Sequence, residues 1–391
     1  MEHTRPIIAL VINEMSIGGI PKASIPLMKQ LLQYADVHLI QTNETGELQD
    51  QIPAGVKTIV APYQRTRQIC SKLMSRGKPL KALFFRVKTL FLGHVSKRWV
   101  VNNAYIAKYA DLVSDVEYDC AIAFHGMNID HLTRTLYQVK AKKRIAWIHG
   151  DHPFTGKHQK DAAKIYSAFE KILCASGICK RNFVRDFPLL VEKTQVFHCL
   201  LEPDIIRKCA SEQIDFSYPE DSFNILTVGR ISPEKGQRMI PEILRLLRKA
   251  EKTIRWYLVG DGPDRPEVEN LIKQTGCENL FILGAKVNPY PYIKQCDLYV
   301  QPSFSEAYSL TAFEAATLGK PIVLTDVAGA TELLRAEEDI LVSEPTPESI
   351  ANQIKRLIEN KELRLKLTDN LSDRDFSNND QISALVAWIS E

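Results

Sequence analysis

The sequence predicts an α/β protein made of two doubly wound, parallel-sheet domains that face each other across a cleft. Three observations predict it. Short apolar runs alternate with helix-periodic stretches along the whole chain. Polar and glycine-rich residues follow directly on those runs, where open α/β sheets bind their ligands. The alternation is also too long for one sheet, and at 391 residues with 45% hydrophobic content the chain can fill two cores.

In order, the predicted strands are Ile7 to Ile12, Val37 to Ile40, Ala121 to Phe124, Arg144 to Ile148, Ile172 to Cys174, Asn224 to Val228, Arg255 to Val259, Leu280 to Leu283, Leu298 to Val300 and Pro321 to Leu324. A polar break between Leu200 and Pro219 separates the sets. The expected division is 1–205, 206–372 and a final segment 373–391, in which Phe376 to Trp388 reads as a helix. The polar clusters at predicted strand ends are Glu14 to Gly19, His125, His149 to Asp151, Arg230 to Lys235, Gly260 to Pro263 and Ser303 to Glu306.

Charge is unevenly spread. Net charge is +3, yet residues 51–110 hold twelve Lys and Arg and no Asp or Glu, so the rest of the chain nets −9 (+3 less +12). Within that segment Leu80, Leu83, Phe84, Val87, Leu90 and Phe91 recur at helical spacing, with Lys81, Arg86 and Lys88 elsewhere on the wheel. A basic amphipathic helix of this kind suits an anionic membrane surface, so a peripheral contact through residues 57–108 is expected. No RNP-like motif, zinc module or clear helix-turn-helix accompanies the charge, and no nucleic-acid partner is expected. The eight cysteines show no metal spacing and read as reduced, buried thiols. With no signal-peptide pattern and no apolar run long enough to span a bilayer, the expected location is cytoplasmic, at the inner face of the plasma membrane.

Two loops carry charge suited to a phosphate. Val228-Gly229-Arg230-Ile231-Ser232-Pro233-Glu234-Lys235-Gly236 lies between a strand and a helix starting near Gln237; Arg clamps a phosphate bidentately and Lys adds a mobile point charge. Ser16-Ile17-Gly18-Gly19-Ile20-Pro21-Lys22 joins the first strand to a helix whose N-terminus favours an anion. From Ser303 to Val323, Glu306 falls in a loop and Glu314 on a short helix closed by Gly319, with the amides around Ser309 and Leu310 between the two acids. Gly260 and Gly262 form a turn, and Leu283 to Val287 follows another strand. His149 and Asp151 end the fourth predicted strand, and His125 the third.

These residues resemble the retaining glycosyltransferases of family 4, which carry an E-x7-E motif opening E-G-F-G-L and a G-R-x-x-x-x-K-G block. The resemblance covers nearly the whole chain and is strongest from about Asn224 to Ala330. It implies the GT-B arrangement, with a C-terminal helix crossing back to the first domain. By position it assigns Glu306 to sugar hydroxyls and Glu314 to a ribose diol, and it sets Arg230 and Lys235 on the departing nucleoside diphosphate. Gly18 and Gly19 fall to the donor diphosphate, Gly260, Ser309 and Leu310 to the walls of the donor site, and the backbone at Val287 to the base. His149 falls to the transferred sugar, with His125 as the alternative, and beside His149 the carboxylate of Asp151 suits orienting an acceptor hydroxyl or acting as a base on it. The usual E-G-F-G-L is Glu306-Ala307-Tyr308-Ser309-Leu310 here, which leaves donor identity open. Asp373-Arg374-Asp375 fits D-x-D spacing but reads as helix capping, so no metal and no cofactor is expected.

The expected function is metal-independent, retaining transfer of a sugar, with a UDP-sugar as first candidate donor, to a lipid-linked or polysaccharide acceptor in cell-surface glycan synthesis. Two alternatives stand beside it: a nucleotide-sugar 2-epimerase on the same architecture, and a non-enzymatic scaffold related to such transferases.

Overall fold

In a computed structural model that describes residues 5–150, 154–214, 216–248, 253–327, 329–372 and 374–391, the strands form two all-parallel sheets. The first has the order β3-β2-β1-β4-β5-β6-β7, with β1 Ile7–Val11, β2 Asp36–Gln41, β3 Lys57–Val60, β4 Glu117–Ala123, β5 Lys140–Ile148, β6 Lys171–Cys174 and β7 Thr194–Val196. The second has the order β10-β9-β8-β11-β12-β13, with β8 Ser222–Val228, β9 Thr253–Val259, β10 Leu280–Gly284, β11 Leu298–Gln301, β12 Ile322–Thr325 and β13 Leu341–Ser343. Backbone contacts divide the chain into one unit of Met1–His198 with Asn379–Glu391 and another of Cys199–Asn378.

In each sheet the winding reverses beside the first strand, between β1 and β4 and between β8 and β11. Such reversal points open a crevice at the strand C-termini, because consecutive crossovers leave in opposite directions. The loops after β1, β4, β8 and β11 border these two crevices, and they hold Gly18 and Gly19, His125, Arg230 and Lys235, and Glu306 respectively.

Central strands are mostly apolar over their buried C-terminal halves because helices cover both faces. In the first unit these are α1 Gly19–Leu31, α2 Thr66–Ser75, α3 Pro79–Leu90, α4 Trp99–Tyr109, α5 Ile129–Tyr137, α6 Gly156–Tyr166 and α7 Gly177–Asp186. In the second they are α8 Pro203–Cys209, α9 Ile240–Leu246, α10 Arg265–Thr275, α11 Tyr290–Gln295, α12 Leu310–Thr317, α13 Pro347–Glu359 and α14 Lys361–Ser372. The second core gathers Ile225, Trp256, Leu258, Leu298, Val300 and Val323. Its one large polar edge is satisfied, since the Trp256 indole donates to Thr227 Oγ1 at 3.0 Å and that hydroxyl donates to Val300 O at 2.6 Å.

Several elements differ from expectation. Strands β3, β7 and β13 were not predicted, and all three are sheet edges. The helix expected near Gln237 begins as a 3₁₀ turn, Gln237–Met239, and becomes α-helical only at Ile240. The last helix, α15, runs Asp380–Ser390 instead of starting at Phe376. Asp375 accepts from the Ser377 amide at 2.8 Å and its hydroxyl at 2.9 Å, a turn that holds the chain out of the helix. Asp373 lies outside the described residues. Helix α15 packs in the first unit, where it buries Ile382, Leu385 and Ile389 and presents Trp388 to the Lys143 and Lys171 ammoniums, 4.8 and 4.6 Å from the ring centre.

Helix α3 turns Ala82, Phe85 and Thr89 inward, with Phe85 against Tyr105 and Tyr109 of α4. The predicted apolar stripe is thus on its outer side. No helix of the described residues is long and apolar enough to cross a membrane.

Candidate functional site

In the second unit, Gly236 has φ 71°, and a Cβ there would stand 1.9 Å from Pro302 O. Glycine is required both for the left-handed turn and for the close passage. The passage ties the loop after β8 to the loop after β11: Phe304 N donates to Glu234 O at 2.8 Å, and Lys235 Nζ donates to Glu306 Oε1 at 2.7 Å. A Cβ at Gly260 would meet Gly229 O at 1.9 Å, so the turn after β9 also packs backbone to backbone on the Arg230 loop. Arg230 is exposed, and its carbonyl accepts from the buried Gln237 amide at 2.9 Å.

Glu306 ends a buried chain of hydrogen bonds. The Tyr299 hydroxyl donates to Gln301 Oε1 at 2.7 Å, Gln301 Nε2 donates to Ser303 Oγ at 2.9 Å, and Ser303 Oγ donates to Glu306 Oε1 at 2.8 Å. Thr311, on the first turn of α12, lies 2.8 Å from the same Tyr299 hydroxyl. Burial pushes that hydroxyl well above the ordinary tyrosine range, so it stays a donor. Both bonds to Glu306 land on Oε1, which leaves the lone pairs of Oε2 for a hydroxyl.

Glu314 is buried on α12 and accepts from the Tyr290 hydroxyl at 3.2 Å. Burial, then the Glu314 carboxylate, raises the Tyr290 hydroxyl far above its usual range. Tyr290 opens α11, three residues beyond Val287, so it links the exposed Val287 loop to the second acid. Between the acids, Ser309 caps α12 with φ 64° and ψ 59°, a left-handed conformation that glycine usually supplies. The chain then turns so that the Leu310 and Thr311 amides are the first of α12, which the helix itself leaves without acceptors.

In the first unit, Gly18 caps α1 and Gly19 begins it, and both are exposed. The preceding amide, Ile17 N, donates to Glu47 Oε2 at 3.1 Å, so this loop already takes a carboxylate. His149 and His125 end adjacent strands. The His149 ring lies 4.5 Å from Phe124 and is stacked 5.8 Å from Trp147. Burial, then the neighbouring His125, lowers the His149 imidazole to about 3. It is therefore neutral at physiological pH and suited to hydrogen bonding with a hydroxyl, not to giving up a proton. Burial lowers His125 as well. Asp151 lies outside the described residues.

Sequence reasoning missed the relay from Tyr299 through Gln301 to Ser303, the Tyr290 contact, and a buried group under α5. There Arg134 is 1% exposed, its guanidinium has no hydrogen-bond acceptor and it stacks on the Tyr63 ring at 3.8 Å. His131 beside it is equally buried, and both its ring nitrogens lack partners. The relay follows the two-residue alternation of β11 into its loop, a spacing the apolar run around it hides, whereas the Tyr290–Glu314 and Arg134–Tyr63 contacts join residues from separate elements, which no spacing announces.

Residues 211–374 match the family model "Glycosyl transferases group 1". The chain is 29% identical over 156 residues to a lipopolysaccharide core biosynthesis glycosyltransferase of Rhizobium meliloti, covering 39% of this chain and 44% of the relative. It is 26% identical over 203 residues to the N-acetylgalactosamine-N,N'-diacetylbacillosaminyl-diphospho-undecaprenol 4-alpha-N-acetylgalactosaminyltransferase of Campylobacter jejuni, covering 51% and 54%. The matches thus span about half the length of these curated relatives. Anabaena HepE, solved in complex with UDP-glucose, superposes with a TM-score of 0.71 at 17% identity over 98% of this chain and 100% of that one. The likeness establishes the fold as GT-B, two Rossmann-like parallel-sheet domains.

Proposed function

We propose that this protein is a retaining, metal-independent glycosyltransferase that moves a sugar from a nucleoside diphosphate donor, a UDP-sugar first among them, to a lipid-linked or polysaccharide acceptor in cell-surface glycan synthesis. The observation that carries the proposal is the Lys235–Glu306 contact at 2.7 Å, which brings the cationic loop after β8 to the acid that heads α12. One crevice of one unit therefore offers cations for a diphosphate, carboxylates for hydroxyls and a helix N-terminus for an anion.

Transfer from such a donor breaks the bond between the sugar's anomeric carbon and the diphosphate, and negative charge grows on the leaving oxygen. Arg230 and Lys235 stabilise that charge, and the Gly18–Gly19 loop supplies further amides. Glu306, held by Ser303 and Lys235, aligns the sugar through Oε2, and Glu314 with Tyr290 holds the ribose diol. Gly260, Ser309, Leu310 and Val287 shape the surrounding walls. Neutral His149 contacts a sugar hydroxyl, and Asp151 orients the acceptor. Catalysis is then chiefly electrostatic and positional. Peripheral contact with the cytoplasmic membrane face through residues 57–108 would bring a lipid-linked acceptor within reach. The undecaprenyl diphosphate acceptor in the Campylobacter relative's name supports a lipid-linked substrate.

The test is nucleotide release from UDP-, GDP- and ADP-sugars with membrane lipid extract as acceptor. Acceptor-dependent release from one donor is expected, with Arg230→Ala lowering kcat about 100- to 1,000-fold. Interconversion of the donor without acceptor would replace the transferase by an epimerase. Intact donor binding without turnover across acceptors would replace it by a scaffold.

A further inference from the structure

On the first unit, six large apolar residues lie along one side of α3 and its continuation: Leu80, Leu83, Phe84, Val87, Leu90 and Phe91. Their exposure runs from 49% at Leu90 to 81% at Leu80. Scattered exposed apolar residues need no explanation, but a contiguous stripe on one helix does. Helix α3 passes directly into a π-helical turn, Phe91–Val95. Next to the stripe, α2, α3, this turn and α4 line a half-open cavity of ≈ 380 Å³, bordered among others by Thr66, Arg67, Arg86, Thr89, His94 and Asn102.

Leu90 belongs to both features, as a member of the stripe and of the cavity wall. Gly93 of the π turn also lines the cavity, and a Cβ there would come within 3.1 Å of Asn102 Nδ2, so a small residue keeps the Asn102 side in place. Some basic residues of the segment are already partnered: Lys72 pairs with Asp111, Arg98 Nε bonds Asp161 at 3.0 Å, and Lys88 sits 4.4 Å over the Tyr105 ring, and of the remainder Arg67 and Arg86 are the ones that line the cavity. Arg67 and Arg86 form no ion pair among the described residues, and no acid lies in residues 51–110 to neutralise them.

We infer that this cavity binds the phosphate of an anionic phospholipid while the stripe of α3 enters the acyl layer, so that the α2–α3 hairpin docks the protein on a lipid surface. Two arginines, the Thr66 hydroxyl and a histidine make donors for a phosphate, while the Thr89 hydroxyl already donates to Arg86 O at 2.9 Å, and the apolar residues begin where an acyl chain would leave the headgroup. An acidic protein partner would match the arginines alone; the contiguity of Leu90 with both features favours a molecule that is anionic at one end and apolar at the other. The inference rests on the peripheral contact proposed above and specifies how it is made.

Vesicle flotation tests it with the full-length chain. Vesicles of phosphatidylcholine plus phosphatidylglycerol should carry the protein, and phosphatidylcholine alone should carry far less. The double variant Arg67→Gln/Arg86→Gln should weaken binding roughly thirtyfold, on the scale expected for two basic residues at a lipid surface. Leu83→Ser/Phe84→Ser should lose binding even at low salt, and because both side chains are exposed its thermal melt should not change. Equal flotation on both vesicle types, or full binding by the arginine variant, would overturn the headgroup site. A shift of the His94 NMR resonances with inorganic phosphate but no flotation would make it a free-anion site and overturn the lipid assignment. UDP binding measured on the same samples separates the two proposals: loss of flotation with UDP binding intact concerns docking only, whereas absent UDP binding by the wild type counts against the transferase.

Discussion

The crevice of the C-terminal unit is organised by charge and hydrogen bonds, that of the N-terminal unit by rings and burial. Glu306 stands at the end of a donor chain three residues deep and meets a lysine. His149, by contrast, is packed against Phe124 and Trp147, and burial strips it of its proton. The difference follows from the work proposed for each. Where negative charge must grow on a leaving group, charges fixed in advance cost no reorganisation at that moment. Where a neutral sugar hydroxyl is to be aligned, an uncharged imidazole in an apolar setting gives direction without attracting the diphosphate.

The largest expected consequence is acid sensitivity confined to the N-terminal unit. His149 and His131 are both lowered to about 3 by burial first, with His125 next in each case. In the unfolded chain they titrate near 6.5, so below that pH the unfolded state takes up protons that the folded state refuses. The stability is fully present above 6.5 and is lost as pH falls toward 3. Two histidines remove about 3 kcal/mol between pH 6.5 and 5. In the C-terminal unit, burial opposes the charge of Glu234, but the Ser232 hydroxyl and the cations nearby hold its carboxyl below the usual range, and the Gly262 amide with Arg265 does the same for Asp261. Those contributions are lost only at pH values below the ordinary carboxylate range. Urea unfolding of wild type and His131→Leu at pH 7 and pH 5 checks this. The variant should keep about half of the acid-induced loss, and an unchanged loss would remove His131 from the account.

A smaller effect is expected at Arg134, a buried cation without a hydrogen-bond acceptor. Burial lowers its proton affinity. Stacking on Tyr63 offsets only part of that cost. Arg134→Met keeps the length and removes the charge, so it should stabilise the first unit by roughly 2 kcal/mol. Scanning calorimetry decides it. A lower melting temperature would mean that the stacked cation holds the Tyr63 loop in place.

What was legible in the chain follows the same physics. Where a central strand is buried on both faces its residues are mostly apolar, and every central strand was read from such a run. Edge strands β3, β7 and β13 pair on one side only and are three or four residues long, so Lys57 to Val60 and Thr194 to Val196 carry polar residues that hide them. Phe376 misled for a related reason. It is buried in the C-terminal unit, 6.0 Å from Phe313, so its apolar character reports a core and not the start of α15. Loop chemistry was legible where one short segment holds it, as at Arg230 to Gly236. Tyr290 and Glu314 are far apart in sequence and meet only in the fold.

The smallest expected effect sits at Ser309, where the chain keeps a side chain in a conformation that glycine favours. With φ 64°, a non-glycine residue there gives up about 1–2 kcal/mol. Its hydroxyl is also buried without a hydrogen-bond partner, so the side chain recovers none of that locally. Ser309→Gly relieves both costs but frees the unfolded chain, which returns about 0.4–1 kcal/mol to the unfolded state. The backbone terms balance to a gain of about 0–1.6 kcal/mol, measurable by denaturant midpoint. If the serine serves only as a tolerated cap, donor turnover will not change with it. If turnover falls while stability rises, the hydroxyl at the head of α12 contacts the donor, and the strain is retained because the site uses it.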